Sequence, residues 1–486
     1  MIDVAVVGAG MGGLTAAALL ACRGLKVAVF EQHFLAGGYC TSWERVVAGA
    51  GGRRLRFVFD AGVHDVSGLG PEGGVRQLLE LLGVGERVKW RRTGYLHVQG
   101  ERSFLVPGGW DAFAEALAEQ FPEERSGIRA LFEELDRCCR ACVPEGGVLG
   151  FLRGRDAAQS RRRRQSERWL TAPFDALLKT HVKAGPLREI LLRVGRYRTF
   201  RVGALTVGEM APLFEYFRQG GFYPEGGSQA LPDVLVERIR SAGGEVRLSA
   251  PVRGIRVEGG RAAGVALEGG EVVAARAVLS NADVRRTLLE LVPEGALPAE
   301  LVRRAREAVP ATSAFMVFLG LEPAPRLPAP AVFVRPERGE PVSFWIPPDP
   351  SLAPEGAAAA TLIALVPQEE AGRWDRRAAG YGERKRAFAE KLLDTAERVV
   401  PDLRGRIVFR EEASPATFTR YAWTSGGAIY GLEVGGWRPP LRLPVGGVYL
   451  AGAGVFPGPG VESVVVSGAM AAAAIAEDLG VPLCFA

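Results

Sequence analysis

Residues 2–20 read IDVAVVGAGMGGLTAAALL, and this stretch decides the fold. An apolar strand at residues 4–7 runs into a glycine turn, and the turn runs into a helix of small residues. Gly8, Gly10 and Gly13 have the G-x-G-x-x-G spacing of a dinucleotide-binding strand–turn–helix. Gly8 permits the tight turn, Gly10 lets backbone approach a pyrophosphate, and Gly13 lets the helix pack on the strand. The start of the helix then offers unpaired N–H groups and the positive end of its dipole. A second strand, KVAVFE, ends in Glu31, eighteen residues beyond Gly13, where a ribose-binding carboxylate belongs. Asp3 stands where a secretory signal would carry basic residues, so the stretch is expected to be structural.

A second costly turn lies near the other end. Residues 449–468, YLAGAGVFPGPGVESVVVSG, hold five glycines and two prolines between an apolar run and another small-residue helix. Glycine loses the most backbone freedom on folding, so such a cluster implies backbone that closely approaches something. Its spacing is not that of a second nucleotide fingerprint, which argues against a built-in nicotinamide domain. One long cofactor satisfies both turns. FAD has an ADP half for the first turn and a flavin half for the second. A helix starting near Val461 would point roughly half a positive charge at a reduced flavin.

The 486 residues suffice for two or three domains, and 48% hydrophobic with 24% charged residues is ordinary for a globular protein. A net charge of +5 and the lack of any nucleic-acid motif give no reason to expect a nucleic-acid partner. Six cysteines in this length do not make a disulfide framework, so a reducing cytoplasm fits. Cys138, Cys139 and Cys142 cluster in a helical stretch, but with four histidines in the chain no metal site is expected. No segment reads as a transmembrane helix. Arg161 to Arg164, with Trp169 downstream and Phe151 and Leu152 upstream, are compatible either with peripheral contact at the inner membrane face or with a solvated loop.

The pattern along the chain predicts an α/β protein. A Rossmann-like FAD-binding domain is assembled from residues 1–72, 201–290 and 431–486. A mostly helical insertion spans 73–200, and a mixed-sheet substrate domain spans 291–430.

At this point the chain resembles the flavoproteins that include bacterial-type phytoene desaturases, carotenoid isomerases and retinol saturases. The residues that carry the resemblance span nearly the whole length and are weakest at 75–195. They are VVGAGMGGLTAAALLACRGLKVAVFEQHFLAGGYCTSWER, FDAGVHDVSGL, GGFYPEGGSQAL, GGEVRLSAPVRGI, VLSNAD, ASPATFTRYAWTSGGAIYG and GVYLAGAGVFPGPGVESVVVSG. The resemblance implies that Gly8, Gly10, Gly13 and Glu31 hold the ADP half, with Gly37 and Gly38 beside the pyrophosphate and Val252 at the adenine. It implies Gly452, Ala453, Gly454, Gly460 and Val461 for the ribityl chain and flavin, and Asp60, Gly62 and His64 near the isoalloxazine. Two positions depart from the wider superfamily. Tyr39 replaces an arginine after the Gly-Gly pair, and Ala453 replaces an aspartate, the latter as in bacterial-type desaturases.

No Ser–His–Asp pattern or metal cluster competes with flavin chemistry. The resemblance implies desaturation, saturation or cis/trans isomerisation of a long apolar polyene, with quinone or oxygen as acceptor where electrons leave. Candidate cavity-wall residues are Phe214, Tyr216, Phe217, Phe315, Phe318, Phe344, Trp345 and Tyr421. His64 is the candidate catalytic residue, ahead of Asp65 and Glu462. A flavin amine oxidase of the same architecture, with Tyr421, Trp423 and Tyr430 as an aromatic cage, is the rival enzyme reading. A non-catalytic flavin- or lipid-binding protein is the alternative of another class.

Overall fold

The computed structural model describes residues 1–71, 73–99, 102–106, 108–142, 147–152, 167–197 and 199–483. The Arg161 to Arg164 run lies outside them. One sheet is built around a parallel core in the order Glu245–Arg247, Val27–Phe30, Ile2–Val7, Val272–Ser280 and Val448–Leu450. Its strands come from both ends and the middle of the chain. Val4 to Val7 and Val27 to Phe30 are apolar throughout because both faces of this sheet are covered. Val272–Ser280 also closes an antiparallel meander with Val252–Glu258 and Arg261–Leu267.

The first helix, Met11–Ala21, is buried on every side. That explains its alanine-rich, uncharged sequence, since a helix with no solvent face needs no polar stripe. It lies against the last helix, Val461–Asp478, so closely that a Cβ on Gly468 would overlap the carbonyl oxygen of Gly12.

A second sheet runs Ile407–Ala413, Ser313–Leu321, Ala358–Val366, Val342–Trp345, Ala331–Arg335, Tyr95–Gln99 and Arg102–Val106. Its pairings are antiparallel except between Ala331–Arg335 and Tyr95–Gln99. The strand Ser313–Leu321 shows the period of two plainly. Phe315, Val317 and Leu319 pack towards the helix Tyr381–Ala396, whereas Ala314, Met316 and Phe318 pack with Phe57 and Phe59 on the other side. The expected α/β architecture with a Rossmann-like sheet and a mixed second sheet is therefore present.

The stretch expected to be mostly helical differs at residues 90–106. Helices do occupy Gly74–Leu81, Trp110–Gln120, Arg125–Cys142, Phe174–His181 and Gly185–Arg193. Between the first two, however, Tyr95–Gln99 and Arg102–Val106 form a hairpin that extends the second sheet. Tyr95 faces the helical core while Leu96 and Val98 pack on the opposite face, a strand parity that outweighs helical spacing here. Trp169 and Leu152 are buried, and Trp169 Nε1 donates to Glu134 at 2.6 Å, so neither projects from the surface as a membrane contact would require. Cys138 and Cys139 are buried in the helical core. Among the described residues no helix is long and apolar enough to cross a membrane.

Candidate functional site

The two glycine turns meet at one side chain. Asn281, at the end of the strand Val272–Ser280, fills the space that Cβ atoms would take on three glycines. A Cβ on Gly10 would lie 2.6 Å from Asn281 Nδ2, one on Gly12 2.7 Å from Asn281 Oδ1, and one on Gly452 2.9 Å from the same oxygen. Gly13 has a different job, because a Cβ there would overlap Gly8 O and so push the first helix off its strand. Gly37 N donates to Ala9 O at 2.8 Å, which folds the Gly37–Gly38 loop over the first turn. Asp283 locks the neighbouring segment: its carboxylate accepts from Ser425 N at 3.0 Å and Ser425 Oγ at 2.8 Å.

Both helices that leave these turns start uncapped. Gly10 and Gly460 precede Met11 and Val461, and neither start has a side-chain cap. Glu462 could have capped the second start, but its carboxylate turns to Ser67 Oγ at 2.8 Å and Gly74 N at 3.3 Å. Two sets of unpaired N–H groups thus open on the same cavity, which has a volume of 1110 Å³. That exceeds the roughly 300–1,000 Å³ of a site for one drug-sized ligand. A long cofactor with anionic phosphates, plus a second molecule, fits this donor set and size.

Of the residues expected at the cofactor, Gly8, Gly10, Glu31, Gly37, Gly38, Val252, Gly452, Ala453, Gly454, Gly460 and Val461 line the cavity, as do Gly62 and His64. Gly13 and Asp60 do not line it. Glu31 is buried, and its carboxylate accepts from Ala9 N at 2.7 Å and His33 N at 2.8 Å. Burial raises its pKa against those bonds. Asp60 lies behind the wall, accepting from Tyr223 OH at 2.5 Å, Ser42 Oγ at 2.7 Å and Ser228 N at 2.8 Å. Its role is to tie three segments together.

The expected substrate wall divides. Tyr216, Phe217, Phe318, Trp345 and Tyr421 line the cavity. Phe214, Phe315 and Phe344 are fully buried in the cores behind it and are corrected to packing residues. The wall also includes Tyr95, His97, Phe200 and Phe333, none of which the sequence singled out. The three aromatics expected as a cage, Tyr421, Trp423 and Tyr430, also line the cavity. Tyr421 is 49% exposed, and the Trp423 ring is covered by Arg286, whose guanidinium carbon is 4.0 Å from its centroid.

Tyr39, the residue after the Gly37–Gly38 pair, donates to Ala428 O at 2.9 Å and lies 3.1 Å from Thr424 Oγ1. Its neutral phenol ties the loop at 424–428 to the Gly-Gly segment and brings no positive charge. His64 is half-buried with its ring edge-on to Trp345 at 5.8 Å, and its Nε2 has no partner among the described residues. Burial pushes its pKa down to about 4, so the imidazole is neutral near pH 7.

The flavin containing amine oxidoreductase family matches residues 11–476. The chloroplastic prolycopene isomerase of Daucus carota is 26% identical over 98% of this chain and 80% of that protein. All-trans-retinol 13,14-reductase of Homo sapiens is 26% identical over 94% of this chain and 82% of that protein. An oxidoreductase from Methanosarcina mazei shares the fold with a TM-score of 0.67 at 19% identity, covering 96% of this chain and 99% of the other. Putrescine oxidase bound to putrescine does so with a TM-score of 0.63 at 19% identity, covering 98% and 99%. With only residues 1–10 and 477–486 outside the family match, this chain belongs to the flavin-containing amine oxidoreductases and is an FAD-dependent oxidoreductase.

Proposed function

We propose that the enzyme acts on the C=C bonds of a long apolar polyene of the carotenoid or related isoprenoid class. The observation that carries this reading is the composition of the cavity described above: uncapped helix starts at its glycine turns and an aromatic wall of Phe217, Phe318, Phe333 and Trp345. The similarity to an isomerase and a reductase of polyenes supports it. FAD, when bound, supplies two-electron transfer to or from carbon.

The chain's own residues bind, orient and exclude water. Gly8, Gly10, Glu31, Gly37, Gly38 and Val252 hold the ADP half, and Gly452, Ala453, Gly454, Gly460 and Val461 the flavin half. The binding domain comprises 1–72, 201–290 and 431–486. The substrate needs little polar recognition. At about 0.8 kcal/mol per buried CH₂, ten such units contribute about 8 kcal/mol before ordering costs. His64, neutral and with its Nε2 unpartnered among the described residues, is a polar group on this wall. Quinone or oxygen takes the electrons where the reaction releases them.

Expression in a host that makes lycopene and its precursors, followed by chromatography of the pigments, tests the proposal. A change in double-bond number identifies desaturation or saturation, and a change in cis/trans ratio alone identifies isomerisation. Unchanged pigments and unchanged retinol from an FAD-loaded protein would refute it.

A further inference from the structure

Separated stretches of the chain bring three hydroxyl-bearing side chains together around Asp65 on the cavity wall. Asp65 Oδ2 accepts from Thr93 Oγ1 at 3.3 Å and from the hydroxyls of Tyr95 and Tyr216. The Thr93 and Tyr95 hydroxyls are 3.0 Å apart, and Tyr95 also meets Tyr216. Gly221 leaves room for the cluster. A Cβ there would overlap Tyr95 OH and Thr93 Oγ1 and lie 2.7 Å from Asp65 Oδ2. Asp65, Tyr95 and Tyr216 all line the cavity.

Because three donors converge on Oδ2, a proton on this carboxyl group belongs on Oδ1. Burial raises the Asp65 pKa to about 7 against the Thr93 bond, so both protonation states are populated near neutrality. The groups around it do not offset that. Burial raises the Tyr95 phenol well above its ordinary range, and His64 is neutral. On the helix Val207–Gln219, Glu215 and Arg218 pair with each other at 2.5 Å, and Arg92 lies over the Phe222 ring. Glu31 and Glu462, which also line the cavity, each have both oxygens engaged.

The geometry points to Asp65 as the catalytic residue that exchanges a proton with substrate carbon, with Thr93, Tyr95 and Tyr216 as positioning residues that stabilise its carboxylate. This rests on the polyene reading above. In the reducing direction, bound FAD in its two-electron-reduced form would supply the hydride for a C–H bond at one alkene carbon. The π pair takes the proton of Asp65 Oδ1 to form a C–H bond at the neighbouring carbon. Asp65 is left as a carboxylate and is reprotonated by water. Desaturation is the reverse, with the carboxylate as base.

Infrared difference spectra of the FAD-loaded protein across pH test this apart from turnover. The expected result is a protonated-carboxyl band lost with a midpoint near 7 and absent in Asp65→Asn. Tyr216→Phe removes a donor to the carboxylate and moves that midpoint upward. Asp65→Asn keeps its flavin and loses turnover on the order of 10²-fold, together with the limb of the pH profile near 7, and Asp65→Glu restores part of both. No such band, or a wild-type pH profile in Asp65→Asn, overturns the assignment. If the wild-type protein turns over no polyene, the polyene reading fails, and the infrared titration alone still decides whether Asp65 carries the proton.

Discussion

Replacing Gly468 by alanine drives a methyl group into the contact between the first and last helices. The new Cβ overlaps Gly12 O and sits 3.0 Å from Gly12 C and Thr15 Cβ. The struck atom is helical backbone, so no side chain can rotate away. Gly12 is itself held from behind, with Asn281 Oδ1 2.7 Å and Gly452 N 3.3 Å from where its own Cβ would be. Alanine returns about 1 kcal/mol of helix propensity, while overpacking a rigid contact costs about 1–3 kcal/mol, so the net loss is ~0–2 kcal/mol. Urea unfolding followed by tryptophan fluorescence should show a lower midpoint at unchanged slope. The larger effect falls on the cofactor. Relief of the clash moves Gly460 and Val461 relative to Gly10, and one FAD reaching both turns then binds less well. The loss of stability should therefore be greater with FAD in excess than without it, and flavin retained after gel filtration should fall. Gly372→Ala is the control: nothing lies within 4 Å of its Cβ, and its effect should stay within about 0.5 kcal/mol. A Gly468→Ala protein with wild-type midpoint and full flavin would refute the reasoning.

His64 makes the fold acid-sensitive. Its pKa is lowered from 6.5 to about 4, so below pH 6.5 the unfolded chain takes up a proton that the native state refuses. Stability is unaffected above that range and falls by about 3 kcal/mol as the pH drops through it. His64→Gln should remove only part of this limb when midpoints at about pH 7.5 and about pH 5 are compared, because the His97 pKa is likewise lowered to about 4, and an unchanged slope would count against a neutral His64 imidazole. Tyr39→Phe leaves Ala428 O without its 2.9 Å donor and should cost about 1–2 kcal/mol while flavin stays bound. A stability equal to wild type in the same urea assay would show that water replaces the phenol.

The parts of the fold legible in the sequence are those with a local backbone requirement. The opening strand, the first helix and the start of the last helix at Val461 each follow from a turn that only glycine allows, flanked by apolar runs. Asn281 was not legible as a partner because its role exists only in three dimensions: the residue it keys into nearest in sequence, Gly452, is far along the chain, and the other two glycines are at its start. The Asp65 cluster fails to show in the sequence for the same reason, since no local pattern links Asp65, Thr93, Tyr95, Tyr216 and Gly221.

The aromatic wall carries a different lesson, because part of it was decidable. Phe315 and Phe318 lie three residues apart on one strand, so they point to opposite faces and cannot both line the same cavity. Phe344 and Trp345, adjacent on another strand, are subject to the same exclusion. Period-two geometry fixes which residues share a face but not which face is the cavity. That choice is made by what covers the sheet: the helix Tyr381–Ala396 takes Phe315 and Phe344 on one side, leaving Phe318 and Trp345 for the other. The docking side of that helix depends on connectivity. Thus a single fixed orientation, such as Trp345 towards His64 at 5.8 Å, propagates through the strand pairings and determines the facing of every wall residue in the sheet.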